Sequence, residues 1–275
     1  MSQNKRIQIN MKQTQYGRTV LIALVVAWFM IMIIMPLYGI LREAFKNGFD
    51  HFILALTTPE AKHAFQMTFW ITILTVIINT FFGVILAIVL AKHRFRGKMF
   101  LEGLVDLPFA VSPVVAGFML IILFGTKGWI GNWFESQNIR IIYAFPGMLI
   151  ATCFVTLPFV AREVIPVLKE FGIEQEEAAH ILGASKWQTF WKVTIPSIKW
   201  GLAYGIILTI ARSIGEFGAV LVVSGSIIHK TQTATLHIHQ EFTDFHYTGS
   251  FSAAIILAFI SFSILNIVQV IYKRR

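Results

Sequence analysis

Charged side chains are scarce in this chain: only 13% of its 275 residues are Asp, Glu, Lys or Arg, about half the share in a soluble domain. Cysteine is almost absent. Cys153 stands alone inside an apolar run, which excludes an intrachain disulfide and leaves no metal-ligand spacing, so it reads as packing. There is no G-x-x-x-x-G-K-[ST] phosphate loop, so the chain is not expected to hydrolyse ATP itself. Short-period repeats and low-complexity tracts are missing too. What is abundant is apolar surface: 56% of residues are hydrophobic and the mean hydropathy is +0.69. A membrane protein is the expectation.

A helix needs about 20 apolar residues to cross a hydrocarbon core, where no water can satisfy the backbone. Four charge-free runs meet that length: Thr19 to Leu41, Ala64 to Ala91, Leu107 to Thr126 and Ile141 to Ala161. A fifth, Trp200 to Ile228, is interrupted only by Arg212 and Glu216, and a sixth extends from Tyr247 to Tyr272. Six spans put both termini on one side. The first run exceeds a usual signal-peptide core and lacks an A-x-A-like exit, so it is read as a retained anchor. Pro36, Pro108, Pro113, Pro146 and Pro158 fall in or beside spans and predict bent helices.

The net charge of +9 follows membrane orientation rather than nucleic-acid binding, because the Lys and Arg lie between apolar runs. Sixteen of them fall in the N-terminal tail, the second and fourth loops and the C-terminal tail, against six in the alternate loops, with Arg212 inside a span. Positive loops stay inside. Both termini and the segment from Arg162 to Lys199 are therefore predicted cytoplasmic.

That segment carries helix signals. Glu170, Glu174, Glu176 and Glu177 precede Ala178, Ala179, Ile181 and Leu182, and Gly183 offers a stop. Ser185 can cap a second helix with Trp187, Phe190, Trp191 and Val193 on one face, ending before Pro196. The small residues Ala178 and Ala179 would let another protein approach, with Glu177 offered to a basic partner residue. A hairpin lying on the membrane face is the alternative.

Inside the fifth run, Arg212 and Glu216 are four residues apart and share a helix face. Charges at such depth face protein or a wet cavity, so the pair reads either as a structural ion pair or as a pathway lining or gate. Gly215 and Gly218 flank Glu216 and permit close approach or bending. Between the fifth and sixth runs lie His229, His237, His239 and His246. His237 and His239 would point the same way on a strand, but two donors are a weak metal signal. With no nucleophile–base pair in the spans, an intramembrane enzyme is disfavoured. A passive channel would need no coupling loop.

Glu177-Ala178-Ala179, three residues, Gly183, nine residues and Val193-Thr194-Ile195-Pro196 resembles the E-A-A-x3-G-x9-I-x-L-P motif of ABC importer permeases. Val for Ile and Ile for Leu are the departures. Arg212-Ser213-Ile214-Gly215-Glu216-Phe217-Gly218-Ala219 resembles the R-x-x-G-E-F-G-A signature of the sulfate and molybdate permeases. The tail from Val222 to Ile227, with Asp244, Thr248 to Phe251 and Ala253-Ala254, looks most like the W-type sulfate/thiosulfate subfamily.

The resemblance implies an all-α integral membrane protein with the type I ABC importer permease fold: six transmembrane helices and a cytoplasmic EAA coupling-helix loop. Residues 1–63 would hold a basic tail, the first span and an outer loop. Residues 64–272 would form the permease core with coupling loop 162–199, and 273–275 a cytoplasmic tail. It implies no catalytic residues and no metal, ATPase coupling through Glu177, Ala178, Ala179 and Gly183, and a pathway or gate at Arg212, Gly215, Glu216 and Phe217. No cofactor would be bound by this chain; ATP and Mg would be used by the partner ATPase. The implied partners are a second, T-type sulfate permease subunit, two copies of an ABC ATPase, an extracytoplasmic sulfate/thiosulfate-binding protein and membrane lipid, with no nucleic acid. The location would be the bacterial plasma membrane. Molybdate or tungstate is the alternative cargo.

Overall fold

The structure is a computed structural model that describes the backbone of residues 3–273 and the side chains of 17–266. Arg274 and Arg275, and the side chains of Lys5, Arg6, Lys12 and Lys273, lie outside the described residues. Long apolar runs become helices because a bilayer leaves backbone groups no other partner. Among the described residues there are thirteen α-helices: α1 (Gln3–Ala44), α2 (Phe49–Thr57), α3 (Pro59–Lys92), α4 (Lys98–Ala110), α5 (Pro113–Phe124), α6 (Gly131–Ser136) and α7 (Phe145–Phe171). They continue as α8 (Glu174–Ile181), α9 (Lys186–Thr189), α10 (Ile195–Ile214), α11 (Gly218–Ser224), α12 (Ala234–Thr243) and α13 (Tyr247–Lys273), with a π turn, Phe190–Thr194, between α9 and α10.

Among the described residues, five helices are long and apolar enough to cross a membrane, and a sixth span exists if the bent pair α4 and α5 counts as one. That pair stands at the expected third span, Leu107 to Thr126, with the bend at Pro113, one of the prolines read as bending a helix. The chain bends by 115° between the two halves. Pro113 explains the break: it lacks an N–H and pushes the preceding residue out of the helical region, and Ser112 is extended at φ −58°, ψ 137°. The expected fourth span, α7, runs past Ala161 to Phe171, and the first, α1, begins at Gln3, ahead of its apolar run.

α7 is the centre of the bundle, packed against α3, α4, α5, α10 and α11. One cluster joins Ile71, Met148, Val155, Val220 and Leu236; a second joins Val84, Ala87, Val160, Val164 and Ile198. Tight approach along the second depends on glycine. A Cβ on Gly83 would lie 2.7 Å from Val160 Cβ, and one on Gly205 would lie 2.8 Å from Val160 Cα. With Gly201 one turn earlier, α10 presents a G-x-x-x-G face to α7.

A polar seam runs beside this packing. Asn79 Nδ2 donates to the Cys153 carbonyl at 3.0 Å and to Thr156 Oγ1 at 2.8 Å, tying α3 to α7 where lipid offers no competing partner. Cys153 is half-buried beside Thr75. α1 lies outside this core and packs along α13. Its apolar side chains, among them Trp28 and Phe29, face outward.

Candidate functional site

The hairpin predicted between the fourth and fifth spans is present, and its turns have identifiable causes. α8 ends at Gly183, whose φ of +86° suits glycine. The Ala184 N–H donates to the Ala179 carbonyl at 2.9 Å and the Gly183 N–H to the His180 carbonyl at 3.0 Å, the paired bonds of a Schellman cap. Ser185 then starts the next helix through a capping box: Gln188 N–H donates to Ser185 Oγ at 3.2 Å, and Ser185 N–H to Gln188 Oε1 at 2.9 Å.

The second half differs from expectation. It does not stop before Pro196 but passes through the π turn into α10, giving a continuous helical path from Lys186 to Ile214. The Ile195 N–H reaches back five residues to the Phe190 carbonyl. Pro196 follows directly as the second residue of α10; lacking an N–H it cannot continue the ladder, and the π turn just before it is where the register changes.

Glu177 and Ala178 are exposed, Ala179 is half-buried, and α8 has no buried residue. Ile181, Leu182 and Trp187 are 86%, 87% and 69% exposed, far more than apolar side chains tolerate in water unless something covers them. The hairpin is thus a projecting knob with an acidic first turn and an apolar tip.

Glu176 behaves differently from its neighbour. Its Oε1 accepts from Lys92 Nζ at the end of α3 and from Thr194 Oγ1 at 2.5 Å. Burial alone would raise its pKa; the hydrogen bonds from Lys92 and Thr194, with the Lys92 charge, outweigh that and hold the carboxyl below the ordinary glutamate value. Sequence reasoning missed this residue, because in the acid-rich stretch nothing distinguishes Glu176 from Glu174 or Glu177.

The second set of predicted residues sits at a helix break rather than in mid-span. α10 ends at Ile214 with Gly215 as its cap, and a new helix starts at Gly218. The Glu216 side chain, 1% exposed, bridges the two. Its Oε1 accepts the Ala219 N–H at 2.9 Å, at the start of α11, and Arg212 Nη1 lies 2.8 Å from Oε2. The Arg212–Glu216 contact is an ion pair whose angles fall outside hydrogen-bond geometry. Capping explains the break: a carboxylate that accepts an orphan N–H of the next helix ends the previous one.

Phe217 stacks at a tilt on His239, ring centroids 5.2 Å apart. Gly215 has ordinary space around a would-be Cβ, whereas a Cβ on Gly218 would press on Pro113 at 3.1 Å. Close approach therefore belongs to Gly218, where α11 meets α5.

Hydroxyls secure the break from the segment between the fifth and sixth spans and from α3. Thr235 Oγ1 donates to the Glu216 carbonyl at 2.7 Å, and the Ala234 N–H donates to Thr68 Oγ1 at 2.8 Å. Neither threonine carries a sequence signal, since the partners are 19 and 166 residues away. The histidines do not assemble. His237 and His239 lie on a helix, α12, not on a strand, so they point apart. His237 is buried, and burial pushes its imidazole below the ordinary value against the pull of Glu241 and Glu60. Among the described residues no group of three His, Cys, Asp or Glu could hold a metal ion.

Residues 79–275 match the family described as binding-protein-dependent transport system inner membrane component. The "Sulfate transport system permease protein CysW" of Synechocystis sp. is 47% identical over 268 residues, 98% of this chain and 97% of that protein. The "Sulfate transport system permease protein CysT" of Escherichia coli K12 is 37% identical over 229 residues, 83% of each. A solved bacterial alginate ABC transporter, in complex with an alginate pentasaccharide-bound periplasmic protein, aligns with TM-score 0.80 at 17% identity over 98% of both chains. That last likeness is one of fold.

Proposed function

Since the chain belongs to the binding-protein-dependent transport system inner membrane component family, we propose that it is the sulfate-translocating permease subunit of an ATP-driven importer. The observation that carries this is the 47% identity, over nearly its whole length, to a protein named as a sulfate permease. Molybdate, the other cargo of the signature around Glu216, is not favoured by these relatives. Thiosulfate, a tetrahedral dianion of similar charge, shares the proposed path.

The exposed hairpin is the coupling element, with Glu177, Ala178, Ala179 and Gly183 docking on a separate ATPase. Its apolar tip suits a protein socket, because the area left bare is the kind that marks partner surfaces. One hairpin per chain and two motor subunits require a second permease, and the likeness to a CysT protein supports a homologous T-type partner. An extracytoplasmic binding protein delivers the anion. Both termini and the hairpin face the cytoplasm of a bacterial cell. The ATPase uses ATP and Mg; this chain converts its closure into movement of the spans.

Each state must be favoured by differential binding: closure of the motor dimer draws hairpins together and opens the bundle outward, and hydrolysis resets it. Sulfate loses a strong hydration shell on the way. Arg212, whose side chain is 34% exposed beside a buried carboxylate, can steer the dianion without trapping it, because Glu216 offsets part of its charge. Gly215 and Phe217, at the same break, complete the gate.

The test is labelled sulfate uptake in cells lacking the chain, complemented with wild type or Glu177→Arg at matched membrane levels. Uptake restored by wild type and not by the variant supports both cargo and coupling. Uptake that never depends on the chain removes sulfate as the cargo, and unimpaired flux in Glu177→Arg removes the coupling role.

A further inference from the structure

The knob described above is anchored at few points. α8 lies between Gly172 at φ +72° and Gly183 at φ +86°, two glycines whose backbone reaches conformations that other residues resist, and none of its residues is buried. A helix hung this way would absorb a push from a motor subunit by rotating on its hinges. Whatever stops that rotation decides whether the push reaches the spans.

Among the described residues, the polar tie from α8 to the spans is Glu176. One oxygen, Oε1, collects both Lys92 Nζ from the end of α3 and Thr194 Oγ1 from the last position of the π turn. The Lys92 and Glu176 side chains are only 18% and 16% exposed, unlike a surface pair open to water and salt. Thr194 is 2% exposed. The π turn it closes is a register irregularity of the kind found at functional positions, and α10 follows it without interruption to Arg212 and the break at Gly215.

Resting on the reading of the hairpin as a coupling element, we propose that Glu176 is the positioning residue that locks the coupling helix to α3 and to the root of α10. Glu177, exposed on α8, meets the motor; Glu176, on its inner side, passes the displacement on. With the knot intact, α8, the end of α3 and α10 move as one body. Without it, the motor can close while the hairpin turns on its glycines, and ATP is hydrolysed without transport.

The experiment uses the complete importer, with both permease subunits, the ATPase and the binding protein, in proteoliposomes. ATP hydrolysis and labelled sulfate uptake are measured together in Glu176→Gln, Lys92→Met, their double variant, Thr194→Val and Thr194→Ser. Glu177→Arg serves as the control for docking. Each charge-removing variant is expected to raise the ATP hydrolysed per sulfate by about tenfold with the ATPase still copurifying, and the double variant no more than either single one, as for two partners of one interaction. Thr194→Val keeps both charges and the side-chain volume, so its expected rise is smaller, about threefold, and Thr194→Ser stays at the wild-type ratio.

A purely structural role would lower hydrolysis and uptake together and leave the ratio unchanged; that result, or additive effects of the two charge removals, overturns the proposal. If Glu177→Arg abolishes transport while Glu176→Gln and Thr194→Val keep the wild-type ratio, the coupling reading stands and this inference falls. Unimpaired transport in Glu177→Arg overturns both.

Discussion

Gly205→Ala tests the packing that carries the hairpin. The added Cβ would sit 2.8 Å from Val160 Cα and 3.3 Å from the Phe159 carbonyl oxygen. Ordinary contact begins near 3.4 Å, so α10 must retreat by about 0.6 Å or more in a seam with no slack. α7 cannot yield in its place, because Val160 already presses on α3 at Gly83. Overpacking of this kind costs about 1 to 3 kcal/mol. Because the clash is with backbone atoms, the cost lies in the upper part of that range, about 2 to 3 kcal/mol; replacing glycine by alanine inside a helix returns at most about 1 kcal/mol, so a net loss of about 1 to 2 kcal/mol is expected, or about 2 to 8 °C in the unfolding midpoint. The measurement is thermal unfolding of the purified complex in one detergent. Gly39→Ala, on α1 with nothing within 4 Å of the new Cβ, is the control and should be unchanged or slightly more stable. A Gly205→Ala protein as stable as wild type, or a Gly39→Ala protein equally destabilised, would refute the argument. Transport should fall as well, because α7 and α10 bracket the hairpin and their spacing sets its base.

Three further outcomes are expected. Arg212→Met should destabilise the protein more than Glu216→Gln, by about 3 against about 1 kcal/mol in unfolding assays, since it strands a carboxylate with a 1% exposed side chain while the reverse change leaves a guanidinium that water can reach; equal losses would contradict this. The contribution of Glu176 should be present above the ordinary glutamate pKa and lost as pH falls through its depressed folded value, so stability measured from pH 7 to pH 3.5 should fall less steeply in Glu176→Gln at the acid end. Single cysteines at Trp129 and Trp187, both exposed and assigned to opposite sides of the membrane, should label with an impermeant thiol reagent from outside and inside respectively, in a Cys153→Ala background; labelling from the same side would sink the topology.

Much of this protein was legible in one dimension. Span length follows from bilayer thickness, so the runs at Ala64 to Ala91 and Tyr247 to Tyr272 locate α3 and α13 closely. The hairpin could be read because its turns use local chemistry: Gly183 reaches a positive φ and Ser185 with Gln188 forms a capping box, all within a few residues. Loop charge is likewise a local count. Tertiary structure decided what depends on distant partners. Only in three dimensions does Glu176 separate from Glu177, because Lys92 lies 84 residues away. The Arg212–Glu216 pair was visible as a spacing of four, yet its place at the end of α10 comes from the orphan N–H of Ala219 and from Thr235 holding the break. The third span kinks at Pro113, but its two halves find their positions by packing α5 against α11 at Gly117 and Gly218, where the absence of side chains lets the helices meet. Sequence periodicity records which face is apolar; which neighbour fills that face is settled by shape and by partners remote in the chain.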